Sequence, residues 1–204
     1  MLRGLLVDAA GVLIVNGPMT ARRRWDREHG RPAGFLDEAL SQAVGSGWEG
    51  GRREEQIRRV LAERVGVDLD GLPAVLEVLG AHEALNADLA AYLTAVRPAL
   101  RTAVVANAGP SRRAELVTRF GLDTLVDVIV ISAEEQVAKP DPAIYLRACK
   151  LLGLAPAGCL FIDDMPANVD GARRAGLHAE VFSSVPRLAA SVARLASSGG
   201  DHVY

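Results

Sequence analysis

Leu5-Leu6-Val7-Asp8-Ala9-Ala10-Gly11-Val12-Leu13 is the stretch that decides the fold. An apolar run ends on an aspartate, and a glycine follows three residues later. That is how a buried strand of an α/β protein delivers a carboxylate to the crevice at the carboxyl edge of its sheet. Working outward, Leu2–Val7 reads as a fully buried strand. Further along, Arg101–Ala106, Val126–Ile131, Cys159–Ile162 and Ala179–Phe182 read as strands. They alternate with helical patterns over Ser111–Phe120, Pro140–Leu152, Pro166–Ala175 and Val185–Leu195. Strict alternation predicts an α/β, Rossmann-like parallel sheet of at least five strands, with right-handed crossovers and helices on both faces.

One segment breaks the alternation. After the first strand, Met19–His29, Gly34–Ala43, Arg52–Val65 and Val75–Leu79 all carry apolar residues at three- and four-residue spacing. Asn86–Val96 follows as a helix with Asn86 as its N-cap. Residues 16–85 are therefore expected to form a helical cap inserted into a core domain made of residues 1–15 plus 86–196. Asn16-Gly17-Pro18 and Ala84–Asn86 serve as hinges. Residues 197–204 are Ser- and Gly-rich and read as a flexible tail.

Composition excludes several classes of function. The chain has 204 residues, is 50% hydrophobic and carries a formal net charge of −2, which suits one substantial core with a small satellite. No basic footprint for nucleic acid or an anionic membrane is present. No apolar stretch is long enough to span a bilayer. The apolar first fifteen residues are interrupted by Asp8 and lack a small-residue cleavage site, so they read as a strand rather than a signal peptide. Cys149 and Cys159 have neither metal-site spacing nor a disulfide framework, and Cys159 reads as a small core residue. The expected setting is cytoplasmic. His29, His82, His178 and His202 are scattered without ligand spacing, and no feature sets an oligomeric state.

The strand ends carry the chemistry. Asp8 follows the first strand and Asn107 the second. Lys139 lies in the loop after the third, before Pro140, which is expected to start the next helix. Asp163 and Asp164 follow the fourth. In a parallel sheet these ends open on one edge, so the groups converge. Three carboxylates and one lysine repel unless a cation neutralises them. Mg²⁺ fits, because it is hard and needs only one or two carboxylates plus water and a phosphate. Lys139 is one of only two lysines in the chain, with Lys150. In the cap, Trp48, Glu49, Arg52 and Arg53 are candidates to face the crevice, and Trp25 reads as cap core.

Four segments in order resemble the haloacid dehalogenase-like (HAD) hydrolase superfamily, in the subgroup whose helical cap follows the first strand. They are Asp8-Ala9-Ala10-Gly11-Val12-Leu13, Ala106-Asn107-Ala108, Val137-Ala138-Lys139-Pro140-Asp141-Pro142-Ala143-Ile144-Tyr145, and Asp163-Asp164 with Asn168. The resemblance spans about residues 1–196. It implies a phosphatase or phosphotransferase acting on a small phosphorylated metabolite, with Asp8 as the nucleophile forming an aspartyl-phosphate. It implies Mg²⁺ held by Asp8, the backbone carbonyl of Ala10, Asp163 and Asp164. It places Lys139 against Asp8 and the phosphoryl oxygens, and Asn107 and Ala108 beside the phosphate pocket. It also implies that the cap closes over the site and excludes water.

Two positions depart from the family's phosphatase pattern. Ala10 stands where those enzymes carry an aspartic acid/base, and Ala106 where they carry Ser or Thr. Losing a positioned acid/base costs roughly 10²–10⁴-fold in rate. Losing one hydrogen bond to a charged group costs about 1.5–3 kcal/mol. A leaving group of low pKa needs no proton, whereas a sugar alkoxide does. The alternative expectation is therefore a catalytically impaired relative that binds a phosphorylated ligand or a protein partner. Phosphonoacetaldehyde hydrolases share Asp-x-Ala-Gly but need a cap lysine, and this cap has none. Haloacid dehalogenases work without metal and have no use for Asp163-Asp164.

Overall fold

Gly4–Val7 (β1) is buried along its whole length, as four consecutive residues without a charge allow. In this computed structural model, residues 1–16, 20–44, 54–81 and 83–197 are described. After β1 come Ile14–Asn16 (β2) and four helices, Thr20–Glu28 (α1), Phe35–Val44 (α2), Glu54–Val65 (α3) and Leu72–Gly80 (α4). Glu83–Leu85 (β3), Ala87–Val96 (α5), Arg101–Ala106 (β4), Arg112–Phe120 (α6), Leu122–Leu125 (α7), Val128–Ile131 (β5) and Ser132–Glu135 (α8) follow. Pro142–Leu152 (α9), Cys159–Asp163 (β6), Pro166–Arg174 (α10), His178–Val181 (β7) and Val185–Ser197 (α11) complete the described order.

Five strands form one sheet in the order β5-β4-β1-β6-β7, and every neighbouring pair is parallel. The expected α/β parallel sheet is thus present, with β1 at its centre. The register aligns Val7 with Val104 on one side and with Ile162 on the other. Asp8, Asn107 and Asp163 consequently reach the same carboxyl edge. Alternate residues face opposite sides, as the two-residue period of a strand requires. Leu5, Val7, Val104, Ala106, Leu160 and Ile162 pack with Leu93, Leu116 and Leu188. Leu6, Ala103, Val105 and Phe161 pack on the other face with Ile144, Tyr145, Ala148 and Ala172. Cys149 and Cys159 are buried free thiols in this second core.

The chain divides into two compact units, Met1–Ile14 with the chain from Leu85 onward, and Val15–Ala84. The second unit has its own core, in which Trp25, Leu36, Ile57, Leu61, Leu72 and Val75 are buried. Asp26 is 1% exposed there and caps α2 by accepting from the Gly34 N–H at 2.8 Å and the Leu36 N–H at 3.1 Å. Arg22 is buried too, paired with Asp37 and donating to the Leu79 carbonyl. Trp48, Glu49, Arg52, Arg53, the Gly17-Pro18 hinge and the tail beyond Ser197 lie outside the described residues. Among the described residues, no helix is long and apolar enough to cross a membrane.

Several sequence expectations shift. Pro140 does not start a helix. α9 begins at Pro142, and Asp141 is its N-cap, accepting from the Ala143 N–H at 2.8 Å. The reason is local: Asp141 satisfies a first-turn donor, and Pro142 occupies the position whose N–H is dispensable. The stretch from 16 to 85 is not purely helical, because β2 and β3 pair as a two-stranded sheet. Both strands are three residues long, too short to show a period. The helix expected at Val75–Leu79 starts earlier, at Leu72, with Pro73 in its first turn.

Asn86 caps α5 as expected. Its side chain accepts from the Leu89 N–H at 3.2 Å and donates to the Val12 carbonyl at 3.1 Å. Asn86→Ala removes both bonds, and denaturant unfolding should show a loss of about 1–2 kcal/mol.

Candidate active site at the carboxyl edge of the sheet

Lys139 organises the edge. Its side chain is 2% exposed, and Nζ donates to Asp8 Oδ1 at 2.5 Å and to Asp163 Oδ2 at 2.7 Å. A buried ammonium persists only when it is paired and hydrogen-bonded, and here two carboxylates from adjacent strand ends do both. Nζ also lies 5.6 Å from the centroid of the Phe161 ring.

Each partner is itself held. Asp8 Oδ1 accepts a second bond from the Ala9 N–H at 2.7 Å; neither bond uses Oδ2. Asp163 Oδ1 accepts from the Met165 N–H at 2.8 Å. Asn168 Nδ2 donates to both Asp163 oxygens, each at 3.1 Å. Asn168 is fixed in turn, its backbone carbonyl accepting from the Tyr145 hydroxyl at 2.7 Å.

The loop carrying Lys139 is clamped from two sides. The Asn107 side chain accepts from the Lys139 N–H at 2.8 Å and donates to the Lys139 carbonyl at 2.8 Å. Asn107 thus pairs with the Lys139 backbone much as a neighbouring strand would. Its amide is used for positioning, a role the sequence did not show. On the other side, α10 comes so close that a Cβ on Gly171 would overlap the Pro140 carbonyl. Ala108 is tied to Ser132, whose Oγ accepts from the Ala108 N–H at 2.9 Å. Ser132 carried no sequence signal, because its partner is 24 residues away.

Asp164 stands beside this pair and is exposed. Its carboxylate lies against Gly11, which has φ +86°, and a Cβ there would collide with it. Glycine at this position therefore serves both the turn and the close approach. Ala10 is exposed. The turn around it is closed by Ile14 N–H to Ala9 O at 2.7 Å and by Gly11 N–H to Ile14 O at 2.8 Å, and neither bond uses the Ala10 carbonyl.

Asp8, Asp163 and Asp164 each offer one carboxylate oxygen, all within 4.8 Å of one another. Three carboxylates face one ammonium, so the cluster carries surplus negative charge. Burial pushes the Asp8 carboxyl up from 3.8 to about 6; Asp163 adds to the rise, while Lys139 and the Ala9 N–H oppose it. Burial, then Asp163, raises Asp164 as well. A hard oxygen-seeking cation suits this donor set, because it supplies the missing positive charge.

The haloacid dehalogenase-like hydrolase family matches residues 2–176, and the chain belongs to that family. N-acylneuraminate-9-phosphatase of Rattus norvegicus is 30% identical over 102 residues, covering 50% of this chain and 41% of that protein. Validoxylamine A 7'-phosphate phosphatase of Streptomyces hygroscopicus subsp. limoneus is 33% identical over 149 residues, covering 72% of this chain and 63% of that protein. The chain thus spans less than two-thirds of the length of these relatives. A HAD-like family hydrolase from Porphyromonas gingivalis superposes with a TM-score of 0.74 at 27% identity, over 96% of this chain and 98% of that one. A HAD family enzyme from Bacteroides thetaiotaomicron, solved with magnesium and inorganic phosphate, gives a TM-score of 0.70 at 19% identity, over 92% of this chain and 99% of that one.

The raised Asp8 carboxyl has a signature in stability. Its folded pKa of about 6 exceeds the ordinary 3.8, so the folded protein binds this proton more tightly than the unfolded chain. The associated stability is full below 3.8 and is lost as pH rises through about 6. In chelator-treated protein, the stability of Asp8→Asn measured relative to the native chain should therefore rise with pH between about pH 4 and pH 7. Denaturant titrations at several pH values read this difference, and a difference independent of pH contradicts the assignment.

Proposed function

We propose that this chain is a Mg²⁺-dependent phosphatase of small phosphorylated metabolites that works through an aspartyl-phosphate on Asp8. The observation that carries the reading is the Lys139 bridge between Asp8 and Asp163, with Asp164 completing a three-carboxylate cluster. Phosphatases among the relatives support it, as does a structural neighbour that holds magnesium and phosphate.

Each residue then has a role. Asp8 attacks phosphorus through its carboxylate, which Lys139 and the Ala9 N–H orient. Lys139 orients Asp8 and faces the phosphoryl oxygens. Asp8, Asp163, Asp164 and the Ala10 carbonyl would hold the cation. Mg²⁺ supplies charge stabilisation at the phosphoryl oxygens when bound. Asn107 keeps Lys139 in place through its side chain. In the phosphate-pocket role given to Asn107 and Ala108, the Asn107 N–H is the donor, because the Ala108 N–H goes to Ser132.

A second reading draws on Ala10 and Ala106: an impaired relative that binds a phosphorylated ligand or a protein partner without turning it over. Phosphate release separates the two. With para-nitrophenyl phosphate, release should require Mg²⁺, stop on chelation, and fall at least about 10³-fold in Asp8→Asn. Release that survives Asp8→Asn unchanged would remove Asp8 from the mechanism. Equal binding of inorganic phosphate with no turnover would favour the second reading.

The clamp gives a finer test. Asn107→Ala frees the Lys139 backbone: losing both bonds should cost about 1–2 kcal/mol of stability, and at temperatures where the variant stays folded kcat should fall roughly 10–10²-fold. An unchanged kcat would show that Lys139 keeps its place without the clamp.

A further inference from the structure

The proposed chemistry breaks a phosphorus–oxygen bond, and the departing oxygen takes the bonding electron pair. The Asp8 carboxylate forms the new bond to phosphorus, so Asp8 has no proton to give. Unless another group protonates it, the leaving group departs as an anion.

The core unit has few candidates. The residue in the exposed turn directly beyond Asp8 and Ala9 is Ala10, whose side chain is a methyl group. Lys139 is 2% exposed, and its ammonium donates to Asp8 and Asp163. The Tyr145 hydroxyl is committed to the Asn168 carbonyl at 2.7 Å, in a side chain with no exposure. Asp163 accepts from Lys139, Met165 and Asn168. Asp163 and Asp164 are also the carboxylates assigned to the cation. Lys139 and Tyr145 thus already donate to protein acceptors, and the Ala10 side chain has no proton to offer.

We infer that the substrates of this site are phosphates whose leaving group is stable as an anion, namely acyl phosphates and aryl phosphate esters, rather than the phosphates of sugar or polyol hydroxyls. This inference rests on the phosphatase reading above. For an acyl phosphate the first step releases a carboxylate; for an aryl ester it releases an aryloxide. Water then attacks the phosphorus of the aspartyl-phosphate, the phosphorus–oxygen bond to Asp8 breaks, and its electron pair returns to the Asp8 carboxylate. Both protons of that water leave on dihydrogen phosphate or pass to solvent.

The test is kcat/KM for acetyl phosphate, para-nitrophenyl phosphate, phenyl phosphate and glycerol 1-phosphate, on the native chain, Ala10→Asp and Asp8→Asn, all with Mg²⁺. On the native chain, kcat/KM should fall steeply along that series, because phosphoryl transfer to Asp8 feels the leaving group directly. Ala10→Asp should flatten the series and raise the ratio of glycerol phosphate to para-nitrophenyl phosphate by roughly 10²–10⁴-fold, the usual value of a positioned acid. A native chain that depends on Asp8 yet handles glycerol phosphate as well as the activated substrates overturns this inference and leaves the phosphatase reading standing. So does a native chain inactive on acetyl and para-nitrophenyl phosphate whose Ala10→Asp form hydrolyses glycerol phosphate. Release that persists in Asp8→Asn, or no release from any substrate by the native chain and Ala10→Asp alike, overturns both.

Discussion

One ammonium group between two buried carboxylates is the constraint around which this edge of the protein is organised. Lys139 has almost no contact with solvent, and neither does Asp163. Removing one partner of such a pair leaves an uncompensated buried charge, which costs about 3–5 kcal/mol. The surroundings therefore hold every member. Asn168 and the Met165 N–H hold Asp163, the Ala9 N–H holds Asp8, and Asn107 holds the backbone of Lys139. Side chains with no chemical role of their own are recruited because the charged ones cannot relax into water.

The sheet makes this economical. With β1 central and parallel to β4 and β6, three strand ends meet without any long side chain crossing the molecule. Lys139 arrives from the loop after β5, and α10 presses against that loop where Gly171 leaves room for the Pro140 carbonyl. The small residue at 171 and the polar clamp at 107 act on the same loop from different elements. Position along the chain is thereby converted into placement of one nitrogen between two oxygens.

Surplus negative charge links this architecture to chemistry. Three carboxylates face one ammonium, so one lysine does not balance the cluster, and burial raises the Asp8 carboxyl even with Lys139 beside it. A divalent cation would. The family relation supplies the reaction type, but the turn at Ala9-Ala10-Gly11 supplies what is particular to this chain. At Ala10 this turn is exposed and offers no side-chain proton.

Much of this was legible in the sequence, for physical reasons. Apolar runs ending at Val7, Ala106 and Ile162, with polar residues directly after them, point to parallel strands whose ends converge, which brings Asp8, Asn107 and Asp163 to one edge. The N-cap at Asn86 was legible because capping is local. What the sequence hid is non-local or too short to have a period. Ser132 meets Ala108 and Asn107 meets the Lys139 backbone only because β4 and β5 lie side by side. β2 and β3 have three residues each, and no period can be read from three. Pro140 and Pro142 compete for one helix start, and the Asp141 side chain settles it in favour of Pro142. Sequence alone determined which residues reach the edge of the sheet, because strand period and polarity are local. Only the tertiary structure decided which atoms touch there, because hydrogen-bond partners are chosen by strand order and helix packing across the fold.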